Sequence, residues 1–280
     1  MSAVVEFGGR SYDLTERALV MGILNRTPDS FYDRGAYFAM DAFVDRAAGL
    51  VDDGADILDV GGVKAGPGPE VGLEEELDRV VPAVGALRDR FDRPVSVDTW
   101  NATVAEHAYK AGAVIGNDIS GFADPRYLEV ASAAGAAVVA THIRLAPRVP
   151  DPEPTYGDLV GEVCAFLRAR AEAAVAAGIP PRRVMVDAGH DLGKTWPQSL
   201  QLLRATDRLA GMGFPVLLSV SNKTFLGRLL GLEIDQRREA SLAAAALGIA
   251  RGAGIVRVHD VKGTRRVRDT MAALLGSGRP

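Results

Sequence analysis

The feature that most constrains this chain is an alternation of two kinds of segment. Short apolar runs recur at 18–25, 56–62, 94–99, 114–120, 136–143, 184–189, 215–221 and 255–260. Their near-continuous apolar bodies suit parallel strands covered on both faces. Between and after them lie segments with helical spacing, near 41–54, 72–91, 101–112, 125–135, 157–178, 197–212, 235–252 and 262–275. In the second of these Leu73, Leu77, Val80, Val81, Val84 and Leu87 recur on one face, and acids fill the first turn. Eight strand–helix pairs predict an α/β fold, a single (β/α)8 barrel. An open doubly wound sheet would want a glycine-rich phosphate loop after its first strand, and none is present. Ahead of the first pair, Val4–Phe7 and Arg10–Leu14 flank Gly8–Gly9, which predicts an N-terminal β-hairpin plugging the bottom of the barrel.

The length of 280 residues fits one such barrel over 1–280. Net charge is −4 and the basic residues are scattered, which argues against a nucleic-acid groove. The densest basic stretch, Lys262, Arg265, Arg266 and Arg268, reads as a solvated face of the last helix. The lone cysteine, Cys164, has no partner for a disulfide or a metal cluster and reads as a buried, inert thiol. With no signal-like N-terminus and no apolar run of membrane-spanning length, the expected compartment is the cytoplasm.

Polar residues gather where the strands end. Asn25, Asp59, Asp98, Thr99, Asn117, Asp118, His142, Asp187, Lys223, Arg257 and His259 all fall on or just after strand candidates. Barrel closure brings those ends to one face. Amides and carboxylates at Asp98, Asn117 and Asp187 suit a ligand with donor and acceptor edges, such as a flat heterocycle. Lys223, Arg257 and His259 suit an anion. No G-x-S-x-G elbow, Cys–His pair or zinc spacing is present.

Asn25-Arg-Thr-Pro-Asp-Ser-Phe31, with Asp33 and Gly35 following, resembles the N-x-T-P-D-S-F signature of the dihydropteroate synthase family. Further motifs of that family are resembled in order by Ser96-Val-Asp-Thr99, Asn117-Asp-Ile-Ser-Gly121, Asp187…Gly193-Lys194, Ser221-Asn-Lys223 and Arg257-Val-His-Asp-Val261. The family condenses 6-hydroxymethyl-7,8-dihydropterin diphosphate with p-aminobenzoate and releases diphosphate. The resemblance implies a pterin held by Asp98, Asn117 and Asp187, with Lys223 alongside and Arg257 stacked on its face. It implies Mg²⁺ and diphosphate at Asn25, the anion at Arg257 and His259, and p-aminobenzoate on the side of Thr224. In an active enzyme Asp33 and Lys223 would be catalytic. A homodimer formed through late helices is also implied, and residues 240–250, apolar nearly all round, are expected to be buried on more than one side.

The chain departs from the family in its loops. The family's G-G-E-S-T-R-P-G is Gly61-Gly-Val-Lys64-Ala65-Gly66-Pro-Gly68 here, so a threonine and an arginine are lost. S-R-K is Ser221-Asn222-Lys223, and D-P-G-I-G-F-G-K is Asp187-Ala-Gly-His190-Asp191-Leu-Gly-Lys194. M-H-M-x-G-x-P has become Thr141-His-Ile-Arg-Leu-Ala-Pro147, and loop one carries Arg26 and Arg34. A pterin floor largely kept under a rewritten roof implies a synthase-like pterin-binding homologue with little or no synthase activity. Each lost charged hydrogen bond removes about 1.5–3 kcal/mol. Other readings stay open: an active synthase with an altered loop, a pterin-binding methyl-transfer module, and a binding or regulatory protein for another anion. The methyl-transfer reading is disfavoured by the first loop and Ser221–Lys223. The last is suggested by Arg26, Arg144, Arg148 and His190.

Overall fold

The computed structural model describes residues 4–27, 40–66 and 68–276. A hairpin of β1 (Val4–Phe7) and β2 (Arg10–Asp13) opens the chain. Gly8 and Gly9 both take positive φ (58° and 72°), as a tight two-residue hairpin turn requires. Eight parallel strands follow: β3 (Leu19–Asn25), β4 (Ile57–Gly61), β5 (Val95–Asp98), β6 (Ile115–Asp118), β7 (Ala137–Thr141), β8 (Val184–Asp187), β9 (Val216–Leu218) and β10 (Ala253–Val258). They form a closed barrel in sequence order, with β10 pairing β3.

Two apolar layers hold it. Leu19, Met21, Ile57, Ile115, Val139, Met185, Leu217 and Ile255 fill the interior together with Val5 and Phe7 of the hairpin. Strand side chains alternate in direction, so neighbours such as Val20 and Val256 join a second, outer cluster beneath the helices. The hairpin therefore caps the barrel at its strand-start end, as expected, and leaves the strand ends open. Helix α1 (Met40–Asp52) precedes β4, and helix α2 (Leu73–Arg90) shows how the helical spacing is used: Val80, Ala83, Val84 and Leu87 are buried, and Glu74, Glu75 and Glu76 occupy its first turn. Helix α3 (Ala102–Ala111) starts at Asn101, whose side chain accepts from the Thr103 and Val104 amides.

Five details differ from the sequence reading. The 197–212 segment is two helices, Trp196–Arg204 and Thr206–Ala210. The Thr206 hydroxyl donates to the Leu203 carbonyl at 2.8 Å, a local bond that competes with the helix ladder. A seven-residue helix, Thr224–Leu230, follows Lys223 and was too short to show a period. On the helix Arg238–Ala250 one face is buried, through Ser241, Ala244, Ala245, Gly248 and Ile249, while Leu247 lies exposed within one chain. Arg268 is buried against Asp56 at 2.8 Å, so only part of the last basic stretch is solvated. Cys164 is half-buried, and that burial pushes its pKa up. Among the described residues no helix is long and apolar enough to cross a membrane.

Candidate functional site

Strand register builds the site. Asn25 pairs with Gly61, Gly61 with Asp98, and Asp98 with Asn117, so one row crosses four neighbouring strands near their C-terminal ends. Thr141 pairs with Asp187 on the opposite side. Arg257 rises from β10 between two carboxylates. Its Nε donates to Asp59 Oδ2 and its Nη2 to Asp98 Oδ2, both at 2.6 Å. Asp59 is fully buried, and its other oxygen has no hydrogen-bond partner.

The electrostatics follow from this packing. Burial raises the Asp98 pKa; Arg257 opposes that rise, and the neighbouring Asp59 charge adds to it. Burial also raises Asp187, opposed by the Gly189 amide, which donates to it at 2.8 Å, and by Lys223. Burial works against the Arg257 guanidinium, yet the charges of Asp59 and Asp98 hold its pKa above the ordinary value. His259 is driven down to about 3 by burial and by the charges of Arg257 and Lys223. It is therefore a neutral imidazole, with Nδ1 at 3.0 Å from the Ser221 hydroxyl. It can meet an anion as a hydrogen-bond partner and not as a cation.

Two loops close the far side. Lys194 is buried and places Nζ 2.8 Å from His142 Nδ1 and 2.9 Å from the Gly189 and Leu192 carbonyls. Burial pushes Lys194 down to about 7 and His142 down to about 3. This lysine ties the loops after β7 and β8 together. Asp191, at φ +65°, reaches the loop after β9. Its Oδ2 accepts from the Thr224 amide at 2.5 Å and the Phe225 amide at 3.3 Å.

With this geometry in place, the comparison with known proteins is direct. The sequence pattern of the family described as pterin binding enzyme matches residues 21–259. The chain belongs to that family. It is 46% identical over 271 residues to the inactive dihydropteroate synthase 2 of Mycobacterium leprae, covering 95% of this chain and 93% of that one. It is 41% identical over 265 residues to the dihydropteroate synthase of Bacillus subtilis, covering 94% and 90%. A crystal structure of the Yersinia pestis dihydropteroate synthase with a sulfonamide drug complex superposes with a TM-score of 0.93 at 38% identity, covering 98% of this chain and 99% of that one.

Within this family frame, Asn25, Asp98, Asn117, Asp187, Lys223, Arg257 and His259 all stand at the strand-end face, and Thr224 begins the short helix after Lys223. Asp33 lies outside the described residues, as do the other first-loop positions 28–39 and Pro67. The sequence places Asp59 on the strand-end face without a role, and the structure gives it one as the buried partner of Arg257. Asp191 reads in the sequence as a bare departure, because the partner amides lie 33 and 34 positions away. Asp118 turns out to be structural: it accepts from the Ser120 and Phe122 amides at 2.6 and 3.0 Å and shapes the turn after β6. Of the residues that suggested a different anion, Arg144 is held by Asp151 through Nε and Nη2, at 2.5 and 2.9 Å. His190 is buried, stacks on Phe225 at 5.7 Å, and has no partner for either ring nitrogen.

Proposed function

We propose that this chain binds a pterin at its barrel mouth and has little or no dihydropteroate synthase activity. The observation that carries this reading is the position of Asp191. Its carboxylate already takes the amide hydrogens of Thr224 and Phe225, on the side where the p-aminobenzoate of a synthase would lie. A second carboxylate arriving there meets like charge and occupied donors. The loop after β4 adds nothing to offset this. Gly66 has open space about it and carries no cation. Asn222 sits at φ +58° with its backbone amide donating to the Ser241 hydroxyl at 3.0 Å, in place of an arginine. The identity to the mycobacterial inactive homologue supports the same reading.

In this proposal Asp98, Asn117 and Asp187 hydrogen-bond the pterin edge, and Lys223 and Arg257 flank it. Asp187 accepts from the Gly189 amide through Oδ1, and Asp187 and Asn117 are both buried at the strand ends, which suits a ligand with complementary edges. Asn25, Arg257 and His259 would hold diphosphate. Asn25 offers one hard oxygen, and the described residues contain no cluster of metal-ligating side chains, so Mg²⁺ fits here only as an ion carried by the diphosphate. There it would neutralise leaving-group charge. Asp33 and Lys223 would act in catalysis only if turnover occurs. A single domain over 1–280, a cytoplasmic location and a homodimer through the half-open helix Arg238–Ala250 complete the proposal.

The test is a turnover assay with pterin diphosphate, Mg²⁺ and p-aminobenzoate beside calorimetric titration of the pterin diphosphate. Binding with turnover far below about 1 s⁻¹ is expected. The change Ala65→Thr, Gly66→Arg and Asn222→Arg should raise turnover tenfold or more, about 1.4 kcal/mol. Turnover of the unaltered protein at about 1 s⁻¹ or faster identifies an ordinary synthase and ends the proposal.

A further inference from the structure

Asp187 is held at two points. Its carboxylate accepts from the Gly189 amide at 2.8 Å, and its backbone carbonyl accepts from the His142 amide at 2.9 Å. The carbonyls of those same two residues turn to one ammonium. Lys194 Nζ lies 2.9 Å from the Gly189 carbonyl and 3.3 Å from the His142 carbonyl. It also meets the Leu192 carbonyl at 2.9 Å and His142 Nδ1 at 2.8 Å. The Leu192 amide donates back to the Gly189 carbonyl at 3.0 Å and closes the turn. Each bond that fixes Asp187 is therefore one Cα away from a bond to Lys194. The packing leaves little slack, since a Cβ at Gly189 would stand 2.0 Å from the His142 carbonyl oxygen.

The acceptors about Nζ call for every hydrogen it can carry. An ammonium offers three and a neutral amine two, so loss of the proton removes a donor where none is spare. A buried acceptor left without its donor is costly. The charges that face Lys194 are mixed. Burial opposes the ammonium, Asp187 supports it, Lys223 repels it and Asp191 supports it, and its pKa settles at about 7. His142 and His190 are neutral, each driven down to about 3 by burial and then by the Lys194 charge. On the loop after β7, Arg144 and Asp151 pair with each other. The Tyr156 hydroxyl donates to the Gly193 carbonyl at 2.7 Å and is pushed up to about 12 by burial, so it keeps its proton. Lys194 is the group in this cluster whose charge changes near neutral pH while it carries bonds from two loops.

We propose that the Lys194 ammonium is a positioning residue for the pterin floor, and that its proton couples the shape of that floor to pH. Protonated, Lys194 holds the Gly189 and His142 carbonyls and so aims Asp187 at the ligand edge. Deprotonated, it lets one of them go, and Asp187 loses its fixed aim. Pterin affinity therefore falls as pH rises through the Lys194 titration. This role rests on the pterin-binding reading and adds to it a residue that touches no ligand yet sets its affinity.

Linkage makes this measurable in the unaltered protein. If the protonated form binds pterin about tenfold more tightly, saturating pterin raises the Lys194 midpoint by about one pH unit. The experiment follows the lysine ε-carbons by NMR from about pH 5 to about pH 9, with and without saturating 6-hydroxymethylpterin. The chain has five lysines, and Lys194 is assigned by replacing the other four with arginine one at a time. An upward shift of about one unit is expected. A pterin that merely buried the amine further would lower the midpoint, so the sign discriminates. In calorimetry, Lys194→Met should weaken 6-hydroxymethylpterin binding by roughly tenfold or more at about pH 6. The ratio of the two Kd values should shrink at least about threefold by about pH 8.5, where the parent has lost the proton too. Titration of Asp187 or of the pterin itself affects both proteins and divides out of that ratio. An unmoved or lowered midpoint overturns the proposal, as does an unchanged Kd in the variant or a ratio independent of pH. Where Lys194→Met does not fold, the midpoint in the parent decides alone. A parent that binds no pterin at any pH ends the pterin reading as well; binding with an unmoved midpoint ends only the role of Lys194.

Discussion

Replacing Asp191 by glycine separates the two things its carboxylate does. The bond to the Thr224 amide is short, 2.5 Å, and charge-assisted, a class that contributes about 1.5–3 kcal/mol. The bond to Phe225, at 3.3 Å, adds less, as does the 3.3 Å bond from the Ser199 hydroxyl to Oδ1. Against this, Asp191 sits at φ +65°, where a glycine relieves about 1 kcal/mol of backbone strain. The net loss is therefore about 1–3 kcal/mol. For a chain of this size each kcal/mol shifts the melting temperature by about 2–4 °C.

Asp191→Gly should accordingly lower the melting temperature by about 2–12 °C in scanning calorimetry. Asp191→Asn, which tolerates the same backbone and keeps one neutral acceptor, should fall between the two proteins. In the same samples, titration with p-aminobenzoate in the presence of pterin and diphosphate should show binding gained by the glycine variant. A glycine variant as stable as its parent, or more stable, would mean that the carboxylate does not hold the start of the Thr224–Leu230 helix. A parent protein that binds p-aminobenzoate as tightly as the variant would mean that the carboxylate does not occupy its place.

Other changes bear on the floor and the frame. Asp187→Ala should weaken pterin binding by about 1–3 kcal/mol, read as a five- to 150-fold rise in Kd; an unchanged Kd removes Asp187 from the pocket. Asp118 is raised to about 6 by burial, against 3.8 ordinarily, so the folded chain holds a proton there that the unfolded chain releases. The stability of the parent relative to Asp118→Asn should therefore fall as pH rises from about 4 to about 7, by on the order of 2–3 kcal/mol in urea titrations; a constant difference contradicts the assignment. A Cβ at Gly116 would stand 2.1 Å from the Tyr109 hydroxyl and 2.6 Å from that of Tyr127. Gly116→Ala should destabilise the barrel by about 1–3 kcal/mol, visible as a lower urea midpoint, and a neutral change would show that both rings can move aside.

Much of the frame was legible because barrel strands announce themselves by local composition. All eight strand segments and the hairpin fall where the apolar runs and Gly8–Gly9 put them. The strand-end polar residues were legible as a set, since barrel closure alone brings Asn25, Asp98 and Asn117 into one row. What could not be read was partnership. Nothing local to Asp191 shows that its carboxylate reaches the Thr224 amide, and nothing local to Lys194 shows that its ammonium reaches His142. Such contacts depend on how loops from different strands meet. Charge states were hidden for the same reason: the neutrality of His259 follows from burial and from Arg257 and Lys223 together.

The division between a kept floor and a rewritten roof has a physical cause separate from catalysis. Arg257, Asp59 and Asp98 form a buried charged trio across β10, β4 and β5. Removing one member of such a set strands the others, which typically costs about 3–5 kcal/mol, a large part of a domain's stability. A chain that stopped making dihydropteroate would still need these side chains to keep its barrel together. Ala65 and Gly66 carry no such burden, for a Cβ at Gly66 would meet nothing within 4 Å. Loop positions of this kind can change at little cost to folding. A match at Arg257 or Asp98 therefore reports the barrel and its buried ion pairs. Synthase chemistry is reported by the loops, where Gly66 brings no cation over the site and Asp191 fills the amides of Thr224 and Phe225 with the protein's own carboxylate.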